Sequence, residues 1–220
     1  TKFYVMTKSG DIYRYGRNFL IPADRYSFPK FTGASIFIRS QEVIGWDTSK
    51  VCGFDFGGGE VVSKWEHKTE ICGEMYNKIS ESQIAGVMAD NTIEVFDYRS
   101  DTVIYKLGKR PERLTAYDTF DDYFVIGGED GWLEMFDRRK DNIKIDTKIK
   151  FGRINVIKCA NKMILAGEGN VVSFYDLKGG NFGVGTQLYI HNSLVTAIDI
   201  GDDHCMSGSS QGELIYYKYL

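Results

Sequence analysis

His67, His191 and His204 are the only imidazoles in this chain of 220 residues. His191 lies near Ser193, Asp202 and Asp203, the residue types of a nucleophile, its general base and an orienting carboxylate. Four cysteines, Cys52, Cys72, Cys159 and Cys205, are spread far apart with no C-x-x-C pair and no cluster of histidines. They read as reduced, buried strand residues rather than as a metal or disulfide framework. The glycine runs Gly57-Gly58-Gly59 and Gly179 to Gly185 lack the lysine and the strand-to-helix setting of a phosphate loop, so they read as turns. Acidic residues Asp47, Asp90, Glu129, Asp130 and Glu168 are spread over separate segments, which makes an acidic rim rather than a cation cage. No catalytic set, metal site or cofactor is expected.

The elements that would position these groups repeat. In the clearest copy, Tyr123 to Asp137, an apolar strand meets a tight polar turn and a second strand ending in Phe136-Asp137. The same frame runs from Ile84 to Asp97, from Met163 to Asp176 and from Val43 to Asp55. Degenerate copies run from Phe3 to Gly16 and from Cys205 to Lys218. The terminal positions Gly16, Asp55, Asp97, Asp137, Asp176 and Lys218 are therefore separated by 39, 42, 40, 39 and 42 residues. The connecting segments carry further strands, such as Thr102 to Leu107 and the alternating Ile143 to Ile149. A period near 40 built from strands predicts an all-β β-propeller of four-stranded antiparallel blades, six or seven when complete. Tight turns fall near Ser9, Thr48, Asp90, Asp130, Gly169 and Gln211, and Asn91 and Gly131 suit positive φ. Long loops are expected at Ile21 to Phe31 and Gly179 to Gly185.

Composition agrees and excludes several classes. Apolar residues are 43% and charged residues 26%, values of an ordinary globular core rather than a disordered chain. Only 3 prolines stand against 24 glycines, with 14 tyrosines and 14 phenylalanines, which suits strands and tight turns. A net charge of −3 argues against bulk nucleic-acid binding. The apolar runs are too short for a membrane-spanning helix.

The units resemble WD repeats over essentially the whole chain. His191, Val195-Thr196-Ala197-Ile198 and Ser207-Gly208-Ser209 follow the family's Gly-His, inner-strand and Ser-Gly-Ser pattern. The last repeat departs from it with Tyr216-Tyr217-Lys218 for Trp-Asp and Gln211 at the turn aspartate. Asp55, Asp97, Asp137 and Asp176 keep the terminal aspartate after Phe or Tyr. The resemblance implies that His191 is structural rather than catalytic. It implies a single propeller over residues 1–220, acting as a non-catalytic, intracellular scaffold that binds proteins or peptides through one loop face. The alternative is an enzyme, or a small-molecule or modified-peptide module, using the central channel. On the loop face the expected partner-binding residues are Arg25, Tyr26, Phe28, Lys109, Arg110, Asp130 and Trp132, the alternative for the first three being a loop that folds its aromatics over the blade edge. Trp132 also reads as ordinary packing, and Arg138-Arg139-Lys140 as a solvated basic turn on the opposite rim.

The repeat frame leaves the first blade without an inner strand and the last without an outer one. The family's solution is an upstream segment of about 20 residues that supplies both. The expectation favours such a segment outside residues 1–220; a strand from a partner is the alternative.

Overall fold

The computed structural model describes residues 3–7, 10–15, 21–37, 41–58, 60–68, 73–107, 112–137, 142–148, 152–160, 163–176, 183–201 and 203–218. Every regular element among them is a strand, and every pairing is antiparallel. The chain forms two compact units, residues 1–109 and 110–220.

The first unit holds three sheets. The first has three strands, β1 (Phe3–Met6), β2 (Asp11–Tyr15) and β3 (Pro22–Ser27). The next has four, β4 (Gly33–Phe37), β5 (Glu42–Trp46), β6 (Lys50–Asp55) and β7 (Val62–Lys68). The third also has four, β8 (Gly73–Lys78), β9 (Gln83–Met88), β10 (Ile93–Asp97) and β11 (Thr102–Leu107). The second unit repeats the plan with β12 (Leu114–Phe120), β13 (Tyr123–Gly128), β14 (Trp132–Asp137) and β15 (Asn142–Lys148). Then come β16 (Ile154–Ala160), β17 (Met163–Glu168), β18 (Val171–Asp176) and β19 (Gly183–Tyr189). A three-stranded sheet follows, β20 (Val195–Ile200), β21 (His204–Ser209) and β22 (Leu214–Lys218).

The repeat frame of the sequence coincides with these hairpins. Five third strands end at the expected residues, Asp55, Asp97, Asp137, Asp176 and Lys218, and β2 ends one residue before Gly16. The turns adopt the backbone their residues favour: Asn91 has φ 64° and Gly131 φ 83°. Turn aspartates fix the hairpins. Asp47 Oδ1 accepts the N–H of Ser49 at 2.8 Å and of Lys50 at 3.1 Å, and Asp90 Oδ1 accepts that of Thr92 at 3.1 Å. The strand-ending aspartates do the same at the opposite end. Asp55 Oδ1 accepts Gly57 N–H at 2.6 Å and Asp97 Oδ1 accepts Arg99 N–H at 2.9 Å. These backbone bonds are the largest cause holding both carboxyls below their ordinary values.

Two expected loops are corrected. Residues 22–27, within the expected loop Ile21 to Phe31, form β3, which pairs with β2 through a bulge at Arg14/Tyr15. Proline is tolerated there because Pro22 is the first residue of a strand at the edge of its sheet. The Gly179 to Gly185 segment enters a strand at Gly183; residues 177–182 lie outside the described residues.

Sheets stack on their successors within each unit. Ile12, Tyr26 and Phe28 pack with Val43, Cys52, Phe54 and Phe56, while Ile44, Trp46 and Val51 pack with Tyr76, Ile84, Met88 and Phe96. In the second unit Ala116, Val125 and Met135 meet Ile157, Ile164 and Tyr175. Leu165 and Val172 meet Val195, Ile198 and Cys205. Hydrogen bonds tie the same first strands together across one repeat. Ser35 Oγ donates to Tyr76 O at 3.1 Å, 41 residues away, and Thr115 Oγ1 to Ile154 O at 2.6 Å, 39 residues away. The buried Cys159 N–H donates to Asp118 Oδ2 at 2.8 Å, 41 residues away. Asp118→Ala leaves that buried N–H without its acceptor, at a cost of about 1–3 kcal/mol. Arg25→Ala, at an exposed ion pair, costs under about 1 kcal/mol. Urea unfolding followed by tyrosine and tryptophan fluorescence should separate the two midpoints in that order.

Candidate functional site

The residues that most resemble a reaction centre sit in the sheet β20–β22. His191 enters just before β20, held by Asn170 Nδ2, which donates to its carbonyl at 3.1 Å. Its Nε2 lies 2.6 Å from Ser207 Oγ on β21, and Ser207 Oγ lies 2.6 Å from Tyr217 OH on β22. His191 Nδ1 is 3.4 Å from Glu213 Oε2, in the loop between β21 and β22. The set therefore has the members of a Ser-His-Glu arrangement, with Ser207 in place of the Ser193 that proximity in sequence suggests. Ser193 Oγ instead accepts Gln211 N–H at 3.2 Å. Asp203 pairs with His204 at 2.8 Å, and Asp202 lies outside the described residues.

The set is buried and loosely aligned. Ser207 is 1% exposed and His191 3%, so no substrate carbonyl reaches the serine oxygen. His191 Nδ1 meets Glu213 Oε2 only at a long 3.4 Å, weaker than the close contact by which an orienting carboxylate holds an imidazole. Glu213 is directed elsewhere. Its oxygens accept Ser209 Oγ at 2.8 Å, Asn192 Nδ2 at 2.6 Å and Asn192 N–H at 3.0 Å. The network joins the loop before β20 to both other strands of the sheet, which is a clamp. No motif in the sequence marks Glu213, which stands two residues beyond the turn position held by Gln211.

The sister sheet β16–β19 solves the same problem differently. Tyr175 OH donates to Glu168 Oε1 at 3.3 Å, and burial pushes both groups above their ordinary values. Burial likewise raises the thiols of Cys52 and Cys205 to about 11 and pushes that of Cys159 well above its ordinary value, against any nucleophilic role. Cys72 lies outside the described residues. Among the described residues no group of three or more His, Cys, Asp or Glu could hold a metal ion.

The expected partner-binding residues fall in both units, and two of them lie outside the described residues. Arg25 is exposed on β3, bidentate to Asp11 at 3.1 and 3.2 Å, with its guanidinium 5.8 Å from the Tyr13 ring centre. Tyr26 and Phe28 are each 9% exposed and pack on Phe56 at 5.3 and 6.3 Å. They are core residues, not the exposed loop anchors expected of them, because Tyr26 in β3 and Phe28 just after it pack on the next sheet. Asp130 is exposed in its turn, and Trp132 is partly buried at the start of β14. Lys109 and Arg110 lie outside the described residues, as do Arg138, Arg139 and Lys140. No helix among the described residues is long and apolar enough to cross a membrane.

No family model matches this chain, and no curated protein matches it. It is similar in fold to computationally designed proteins. The crystal structure of the designed Ika8 protein aligns with a TM-score of 0.69 at 14% identity, covering 98% of this chain and 67% of that one. The designed Ika4 protein aligns with a TM-score of 0.57 at 19% identity, covering 64% of this chain and 88% of that one. At these identities the likeness concerns the fold alone.

The clamp has a pH signature. Its hydrogen bonds, those from Ser209 and Asn192 foremost, lower Glu213 from 4.5 to about 2. A carboxyl depressed on folding contributes stability that is complete above 4.5 and is lost as pH falls towards 2. Glu213→Gln should therefore flatten the acid side of the stability profile in that window, measured as the urea midpoint against pH.

Proposed function

We propose that this chain is a WD-repeat-like β-propeller that works as a non-catalytic platform for protein partners in an intracellular assembly. The observation that carries the reading is the repetition itself. Six third strands end 39 to 42 residues apart, and sheets stack through cross-repeat hydrogen bonds from their first strands. Such an arrangement buries side chains of catalytic type and leaves loops and turns as its variable surface. His191 and Ser207, the pair closest to reaction geometry, serve the sheet from inside it.

The binding residues of the platform are drawn from those that do not serve the core. Tyr26 and Phe28, being core residues, drop out, which leaves Arg25, Asp130, Trp132, Lys109 and Arg110. Arginine and tryptophan are frequent interface anchors, and surface charges steer association.

Reversing charge at Lys109 and Arg110 together should lower recovery of specific partners about tenfold in quantitative affinity purification, with Tm unchanged. Unchanged recovery in that variant and in variants at Arg25, Asp130 and Trp132 would overturn the assignment of these residues.

A further inference from the structure

Four sheets open on the same bulge. The residue at the start of the first strand pairs with the last residue of the second, and the register then shifts: Gly73 with Met88, Leu114 with Gly128, Ile154 with Glu168 and Val195 with Ser209. All four second-strand residues are buried, and only Glu168 among them is ionisable. Met88 fills the place with a thioether, which accepts Tyr76 OH at 3.9 Å. Glu168 is 0% exposed there. It shares a face of β17 with Ile164 and Ala166, which pack with Tyr175 against Val125 and Met135 of the preceding sheet.

The partners of Glu168 are hydroxyls. Tyr175 OH donates to Oε1 at 3.3 Å, and the buried Ser173 is the polar side chain beside the carboxyl that remains for Oε2. The charged and titratable groups of the surrounding segments are engaged elsewhere. Arg153, ahead of β16, meets Glu129 at 3.8 Å, and Lys158 of β16 meets Asp118 of β12 at 3.9 Å. Asp137 pairs with Tyr123, at the opposite end of its sheet from Gly128. His191, beyond the turn after Glu168, is held by Ser207. Cys159 Sγ and Tyr175 OH are both pushed up by burial. A carboxylate buried without a cation is costlier than the neutral acid, so a proton is favoured. Burial raises Glu168 accordingly, and no charged group offsets it.

We propose that Glu168 is a proton-operated latch of the second unit: it folds as the neutral acid, with Oε2–H donating to Ser173 Oγ and Oε1 accepting Tyr175 OH, and loss of the proton loosens the β17–β18 hairpin. The neutral acid is donor and acceptor at once, so one side chain engages both hydroxyls of β18. The carboxylate only accepts, and it places an unpaired charge between two sheets. Its sign is opposite to that of Glu213. A carboxyl raised on folding contributes stability that is complete below 4.5 and is lost as pH rises through the folded value.

Difference infrared spectra of the whole chain, wild type minus Glu168→Gln, read the proton directly. The C=O band of a protonated acid should persist above pH 4.5, after the exposed glutamates have ionised, and give way to carboxylate bands at higher pH. Tyr175→Phe removes the donor to Oε1 and should move that change to higher pH still. The urea midpoint of the wild type should fall relative to that of Glu168→Gln over the same rise in pH. Amide exchange in β17 and β18, as a ratio to the variant at each pH, should rise with it. Glu168→Met, which carries the residue of the sister sheet, provides the same comparison if the glutamine variant does not fold. A band that vanishes together with those of exposed glutamates, or one indifferent to Tyr175→Phe, would overturn the proposal. So would a separation of midpoints, or an exchange ratio, that stays constant with pH.

Discussion

A small twisted sheet with apolar residues on both faces cannot be buried by its own strands, and the rest of this structure follows from that constraint. Strand β13 is buried from Phe124 to Gly128, so residues pointing to both faces of its sheet are covered. Covering a face requires another sheet, and within each unit the supplier is the next repeat. The hydrogen bonds that accompany stacking therefore join residues about one period apart. Thr115 to Ile154 and Asp118 to Cys159 are local in the architecture although distant in the chain. Each repeat gains stability mainly from its neighbours, as in other repeat arrays.

The same constraint governs the polar residues. A buried hydroxyl, imidazole or carboxyl must find a partner inside the sheet or between sheets. His191, Ser207 and Tyr217 do so within one sheet, Glu168 and Tyr175 within another. Glu42 lies between Lys64 and Lys78, joining β5 to the neighbouring sheet through β8. Groups that look reactive in the sequence are thus hydrogen-bonded inside and between the sheets.

Much of this organisation was legible because the repeat frame is written in residue types with strong local preferences. Aspartate closes third strands since its carboxylate accepts the next free backbone N–H, as at Asp55 and Asp97. Asn91 and Gly131 mark turns because their backbones tolerate positive φ. β3 was illegible for the opposite reason. Pro22, Asp24 and Arg25 are residues of loops, and the strand is specified by pairing with β2 and by Tyr26 reaching the core. Glu213 was hidden because it enters the His191 network from two residues beyond the usual turn position. Ser207 becomes the neighbour of His191 only once β20 and β21 have paired, and sequence proximity points to Ser193 instead.

Native-state hydrogen exchange, resolved strand by strand, tests the claim that stacking by one repeat governs the structure most directly. The expected pattern is periodic. Protection should peak in the second strands β5, β9, β13, β17 and β21, fall in the outer strands β7, β11, β15 and β19, and recur about every 40 residues. Protection without that period, or protection in the outer strands equal to that of the second strands, would contradict it.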